Sequence, residues 1–478
     1  MNIILKAFDG VLCKEIVEAA LKGLKMDTCI SILNDKQQWP TLDAKEHIWL
    51  PAKELMREEH SNVDWNAVTP LDEDLMEKMR GCEATFIAMV DRYTKYRDIS
   101  YHERKRQYLR HFLYFNHLLE TKKIDLVLSY TVPHQCYDYV LYSLCKIKQI
   151  PFFYIERFVI MDAFLLESDY REAGEALRRE LAVVQAENND PKQEVKLSDK
   201  FEEIFRKYTT KNEDPWYMFR REKHLARRSF FLKWGKTALE LLFKKPKYLL
   251  SSLLSLEFWT RKVSQHNTSK LYDQMAEEPD LKERYIYLPL HLQPEATTCP
   301  MAGVFNNQEL MAQMLAAHLP PDVKIYIKEH PAQGEICRSK AFYETLANIP
   351  SVKLIRRDFS TFVLTAHAVA VATATGTAGL EALFKGKPVI MFGHRFFQYA
   401  PGVHRVSTNE DCKKAVQSIV ENGETPTLRD MRLFLRAIEN CTQPYVGGPT
   451  GSHEEHTQEE KAVIMGKTMR EKIQPYWR

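Results

Sequence analysis

The sequence predicts an α/β protein with two doubly wound, Rossmann-like domains facing a cleft, a helical insertion between them and helices at the C-terminal end. Three observations predict it. Apolar runs of strand length recur between residues 2 and 157 and again between 285 and 393. Helical patterns separate the runs, and strands separated by helices pair in parallel. Residues 170–280 show no such alternation and are rich in Lys, Arg, Glu and aromatics.

Taken in order, NIILKAF (2–8) reads as a strand and KEIVEAALKGLK (14–25) as an amphipathic helix. DTCISILN (27–34) and EHIWLP (46–51) read as further strands. Residues 70–122 are polar with helical spacing, after which IDLVLSY (124–130), YDYVLYSLCKIK and PFFYIER (151–157) form a βαβ unit. Residues 1–169 are therefore a first α/β domain and 170–283 a helical basic insertion. In the second domain, 284–425, the strands are YIYLPL (285–290), VKIYIKEH (323–330), VKLIR (352–356), AVAVAT (368–373) and PVIMFG (388–393). Helices are predicted between them at 307–318, 338–348, 360–367 and 377–385, and residues 426–478 read as C-terminal helices. Ligands of such folds bind beyond the carboxyl ends of the strands, here in the cleft between domains.

The chain of 478 residues has room for two or three domains, and 45% hydrophobic with 27% charged residues is ordinary for a folded protein. A formal net charge of +3 does not indicate a nucleic-acid binder. Nine scattered cysteines without a CxxC pair fit reduced thiols rather than a disulfide frame or zinc module. MNIILKAFDG resembles no targeting peptide, and no run approaches the roughly 18 apolar residues that span a bilayer. A cytoplasmic protein is expected. Charge is uneven in one place: from Arg220 to Lys247 ten Lys and Arg stand against Glu222 and Glu240, interleaved with aromatics and leucines. Such a segment either lies peripherally on an anionic membrane, through residues 220–262, or packs its apolar side on the protein.

Three stretches at strand ends carry candidate chemistry. LPLHLQPEATTCPMAG (288–303) supplies His291, Gln293, Glu295, Thr297 and Thr298 on a proline-stiffened loop. It forms either a ligand-binding edge or a connection whose Thr and Glu cap the next helix. In KIYIKEHPAQ (324–333), Pro331 stops the strand and holds His330 on a short loop beside Lys328, where both can donate to a phosphate or carboxylate. Alone, the same residues also fit an ordinary polar strand end. In ATATGTAGLEALFKGKPVIMFG (372–393) the strand runs through Thr375, Gly376 and Thr377 into a helix, a turn suited to an anion, with Glu381 one helical turn further on. It has neither the dinucleotide-fold glycines nor the GK[ST] of a P-loop. No metal cluster is evident in the sequence.

In this order and spacing the three stretches resemble bacterial capsule and lipopolysaccharide biosynthesis proteins, nearest to the retaining β-Kdo glycosyltransferases. PHQCYDYVLYSLCKIKQIPFFYIER (133–157) also looks like that family's N-terminal segment. The resemblance, over about residues 130–165 and 284–406, implies a GT-B fold, CMP-Kdo as donor substrate, no cofactor, and a surface-glycan acceptor. It implies His330 on the cytidine monophosphate group, Thr375 and Thr377 on that phosphate or the sugar carboxylate, and Glu381 on the ribose. Two carboxylates would serve a double displacement, Glu295 as nucleophile and Glu156 activating the acceptor, unless Glu156 is instead an ion-pair partner of Arg157 or a neighbour. A CDP-polyol phosphotransferase of the teichoic-acid kind and a non-catalytic glycan-assembly protein are the alternatives.

Overall fold

The computed structural model describes residues 1–34, 42–60, 63–92, 99–158, 161–210, 256–331, 333, 338–446 and 456–477. The first sheet contains β1 (Asn2–Lys6), β2 (Met26–Leu33), β3 (Ala44–Pro51), β4 (Leu126–Ser129), β5 (Phe152–Phe158) and β6 (Ala163–Glu167), in the order β3-β2-β1-β4-β5-β6. Pairing is parallel except at β5–β6, an antiparallel hairpin that the sequence analysis did not anticipate. Alternation along β1 covers both faces. Ile3 and Leu5 join one core and Ile4 the other, as a parallel sheet buried on both sides requires. The covering helices are α1 (Val11–Leu21), α2 (Ala52–Met56), α3 (Glu73–Lys78), α4 (Arg80–Met89), α5 (Tyr101–Thr121) and α6 (Tyr137–Ile147).

Within residues 170–283 the described helices are α7 (Glu175–Glu187), α8 (Asp199–Thr210) and α9 (Leu256–Met275), with a short 3-10 turn at Tyr170–Glu172 and irregular chain at 188–198 and 276–283. The basic run 220–247 lies outside the described residues, and of 220–262 only the backbone of 256–262 lies within them.

The second sheet contains β7 (Arg284–Pro289), β8 (Val323–Lys328), β9 (Val352–Ile355), β10 (Ala370–Thr373), β11 (Val389–Met391) and β12 (Val403–Arg405). Its order is β12-β11-β10-β7-β8-β9, parallel throughout. Tyr285 and Tyr287 of β7 face one core, Ile286 and Leu288 the other. The Tyr285 ring stacks on Tyr326 of β8 with centroids 4.0 Å apart. Helices α10 (Glu309–Ala316), α11 (Lys340–Ala347), α12 (Thr361–His367), α13 (Thr377–Leu383) and α14 (Asn409–Val416) connect the strands. Side-chain caps start several of them: Ser339 accepts from Phe342 N, Ser360 from Val363 N, and Thr408 with Asp411 completes a capping box.

Two C-terminal helices follow, each opened by a capping box: α15 (Leu428–Cys441) on Thr427 and α16 (Gln458–Ile473) on Thr457. Helix α15 packs on α7, whereas α16 returns to the first domain and packs on α1. Gly466 makes that crossing close, since a Cβ there would lie 2.5 Å from both Ile16 O and Ala19 Cβ. One apolar core runs through the junction, joining Phe158 and Leu177 to Leu380, Phe396 and Phe434. At its centre the Phe158 and Phe396 rings stack at 3.8 Å.

Candidate functional site

Both sheets have a topological switch point where neighbouring strands send their connections in opposite directions, the place where such folds bind ligands. In the first sheet it lies between β1 and β4, and protein groups fill it: Lys6 Nζ pairs with the buried Asp138 carboxylate at 2.6 Å and donates to Thr131 Oγ1 at 2.9 Å. In the second sheet it lies between β7 and β10, and there a cavity of about 880 Å³ opens. Its walls are the exit of β7 with Glu295 and Thr297, the Lys328–Pro331 segment, the Arg357–Phe362 loop and the Thr373–Ala378 turn. Glu381, Arg395 and Arg157 of the first domain complete them. Eight of the ten sequence-predicted residues therefore line one cavity: His291, Glu295, Lys328, His330, Thr375, Gly376, Thr377 and Glu381. Gln293 and Glu156 do not.

The turn after β10 is built around His291. The Thr375 amide donates to His291 Nε2 at 3.1 Å, and Thr373 Oγ1 lies 3.1 Å from the same nitrogen. Because Nε2 accepts, the ring proton resides on Nδ1. Burial pushes the His291 pKa down to about 3, with the charges of His330 and Arg338 acting in the same direction, so the ring is neutral near pH 7. The Gly376 amide donates to Thr373 Oγ1 at 3.0 Å, and Thr375 Oγ1 donates to Thr297 O at 2.8 Å. A Cβ on Gly376 would meet Thr373 Oγ1 at 3.0 Å and His291 Nε2 at 3.2 Å, so any larger residue would press on these two side chains. His291, expected to bind nucleotide, has its Nε2 committed to shaping this turn.

The three groups of Lys328–Glu329–His330 separate into different tasks. Glu329 is fully buried; its carboxylate pairs with Arg338 at 2.9 Å and accepts from Tyr343 Oη at 2.6 Å and from the His330 amide at 2.8 Å. Burial pushes this carboxyl up, but the Arg338 charge and these hydrogen bonds outweigh it and hold it below the usual carboxylate range. Arg338 also donates to His291 O at 2.9 Å and to Gln293 Oε1 at 2.7 Å, tying the two loops together. Gln293 thus serves the framework rather than the cavity wall. Lys328 ends β8 two residues before the expected limit, and its Nζ donates to Phe359 O at 2.6 Å and Thr361 Oγ1 at 2.9 Å. It brings a positive charge to the wall while fixing the start of α12.

The Glu295 loop is held by its own hydroxyls, and the Gln293–Pro294 and Cys299–Pro300 peptide bonds in it are cis. Thr298 Oγ1 donates to Glu295 O at 2.9 Å, and Thr297 Oγ1 donates to Glu295 Oε2 at 3.2 Å, aiming one carboxylate oxygen. Glu156, in contrast, is buried in β5 and paired at 3.3 Å with Arg395 Nε, across the domain junction. Burial raises its pKa; Arg395 and Arg157 partly offset the rise. The cleft carboxylate expected from the sequence therefore stands behind an arginine instead of in the cavity wall.

Sequence reasoning missed Arg395, Arg157, Arg357 and Thr373 at the wall and Arg338 behind it. The run GHRFF after a strand end was the available signal for Arg395; the others gain meaning only from tertiary neighbours. Among the described residues no group of three or more His, Cys, Asp or Glu is placed to hold a metal ion, and no helix is long and apolar enough to cross a membrane.

Fold and site together define a two-domain α/β protein whose ligand cavity sits at the switch point of its second sheet. Residues 243–421, which contain that whole sheet, match the family model of capsule polysaccharide biosynthesis proteins. No curated protein matches the chain. Among solved structures, the beta Kdo 2,7 transferase of KpsC from Thermosulfurimonas dismutans is 14% identical, with 78% of this chain and 98% of that one covered and a TM-score of 0.32. The UDP-GlcNAc 2-epimerase of Methanocaldococcus jannaschii is 13% identical over 92% of this chain and 99% of that one, with a TM-score of 0.25. A glycosyltransferase from Rickettsia africae is 10% identical over 99% and 97%, with a TM-score of 0.26. Likeness at this level says nothing of chemistry.

Proposed function

We propose that the protein is a nucleotide-sugar-dependent glycosyltransferase of capsule or lipopolysaccharide assembly, with a CMP-linked sugar acid such as CMP-Kdo as donor and a surface glycan as acceptor. The observation that carries this reading is the cavity at the β7–β10 switch point, within the residues that match the capsule-family model, lined by eight residues singled out from the sequence. Lys328, His330 and the Thr375–Thr377 turn offer cationic and hydroxyl donors to a nucleotide phosphate, and Glu381 offers an acceptor to ribose hydroxyls. Glu295 is the nucleophile. Its carboxylate attacks the anomeric carbon and the nucleotide leaves with the bonding electrons. An acceptor hydroxyl then attacks from the other face, displaces Glu295 and yields its proton to a base, so configuration is retained. Glu156 takes that proton once Arg395 has moved aside.

Thermal-shift titration of the full chain with CMP, CDP, UDP and GDP tests the nucleotide. CMP at a hundredfold excess over its Kd should stabilise by about 2.7 kcal/mol. No stabilisation by CMP would sink the reading, and a response to CDP-glycerol alone would move the protein to polyol phosphate transfer. For the nucleophile, Glu295→Gln should lower transfer from CMP-Kdo at least a hundredfold while CMP still binds; full transfer by this variant removes Glu295 from the role. The proposed membrane contact of residues 220–262 is checked by co-sedimentation with anionic vesicles, with and without that segment. Equal pelleting of the two forms rejects it.

A further inference from the structure

The cavity wall between the domains holds two guanidinium groups that the phosphate-binding turn does not explain. Arg395 lies just beyond β11, on a backbone pinned at both sides: the His394 amide donates to Met301 O at 2.9 Å, and Arg395 O accepts from Gln398 N at 2.9 Å. Next to it, Phe396 is locked by its stack on Phe158. The head group is held far less well. Its polar contacts are Glu156 Oε1 at 3.3 Å, Arg157 O at 3.5 Å and Met301 Sδ at 3.5 Å, with the side chain only 12% exposed. Charge-assisted bonds from a guanidinium to an oxyanion are normally about 2.7–2.9 Å. A nearly buried arginine with none of that length, on a fixed backbone beside a cavity, is built for a partner the protein does not itself supply. Arg157 stands beside it, its guanidinium over the Tyr445 ring at 5.5 Å.

We propose that Arg395, assisted by Arg157, binds a second oxyanion of the bound substrates, separate from the nucleotide phosphate, and that Glu156 occupies Arg395 in its absence. The shared chemistry is a carboxylate or phosphate, carried by the donor sugar or by the acceptor, and the proposal rests on the nucleotide-sugar reading above. Binding that oxyanion exchanges one carboxylate partner for another, so Glu156 loses its counter-charge as the substrate arrives.

The test compares wild type, Arg395→Gln, Arg395→Lys and Glu156→Gln as full chains. CMP, CMP-Kdo and inorganic phosphate are titrated calorimetrically, and the KM for a glycan acceptor is measured where turnover permits. CMP affinity should stay within twofold in Arg395→Gln. If the oxyanion is on the donor, CMP-Kdo binds at least tenfold more weakly to that variant; if it is on the acceptor, CMP-Kdo is unchanged and the acceptor KM rises at least tenfold. Arg395→Lys should recover part of either loss. Glu156→Gln breaks the same ion pair but keeps the arginine, so its CMP-Kdo affinity should be unchanged or tighter; a loss matching that of Arg395→Gln means the arginine is only a strut. Donor and acceptor values both within twofold of wild type overturn the proposal while leaving the nucleotide reading intact. Should wild type bind no CMP, that reading falls, and phosphate decides the arginine: weakened phosphate binding by Arg395→Gln sustains it, unchanged binding ends it.

Discussion

At the scale of single residues, buried charge decides what can be changed. Removing Arg338 strands a fully buried Glu329 carboxylate, and breaking such a pair costs about 3–5 kcal/mol. Arg338→Met should therefore lower the denaturant midpoint strongly, and it should also loosen the loops bearing His291 and Gln293, read as faster amide exchange there. Glu167 offers a pH test. Its carboxyl accepts from Gly174 N at 2.9 Å, and burial, with the Glu156 charge adding to it, raises its pKa to about 7. A carboxyl with a raised native pKa stabilises fully below its unfolded value near 4.5 and loses that contribution as pH climbs to 7. Glu167→Gln should thus be more stable than wild type at pH 8, by up to roughly 3 kcal/mol, and near parity at pH 4.5. Equal stability differences at the two pH values would refute the assignment. The residue types of the cavity were legible because the fold confines ligands to strand ends. Their division of labour was not: Lys328, Glu329 and His330 adjoin in sequence, but their partners lie up to 57 residues away. Glu156 and Arg395 are 239 apart, a pairing no local pattern announces.

At the scale of elements, periodicity identified ten of the twelve strands among the described residues, since buried parallel strands read as unbroken apolar runs flanked by helices. Strand β6 escaped because it follows β5 without a glycine turn signal, and β12 because three residues at a sheet edge, two half-buried and one exposed, have no hydrophobic signature. The turn from β10 to α13 depends on tight contacts that ordinary side chains would break. A Cβ on Gly393 would lie 2.8 Å from Thr375 Cγ2 and 2.9 Å from two carbonyl oxygens. Gly393→Ala should displace Thr375, weaken CMP binding at least tenfold and reduce stability, as read by titration and thermal melting; unchanged affinity would show that Thr375 does not frame the nucleotide.

At the scale of the whole molecule, the junction is a packed core rather than a hinge. Gly174 has φ +87°, and a Cβ there would sit 2.2 Å from Phe396 O. Gly174→Ala should therefore split a single melting transition into two, or lower it by several degrees, while each sheet keeps its secondary structure by circular dichroism. Helix α16 adds a second tie, because the chain that has completed the second sheet crosses back to cover α1. The protein is thus interleaved: the earliest helix finds its cover in residues 458–473, after the second sheet is complete. Cutting it at the domain boundary cannot yield two intact halves, since the N-terminal fragment would be left with a bare apolar face. That fragment should become soluble and folded only when the 456–477 segment is fused to it or supplied as a peptide.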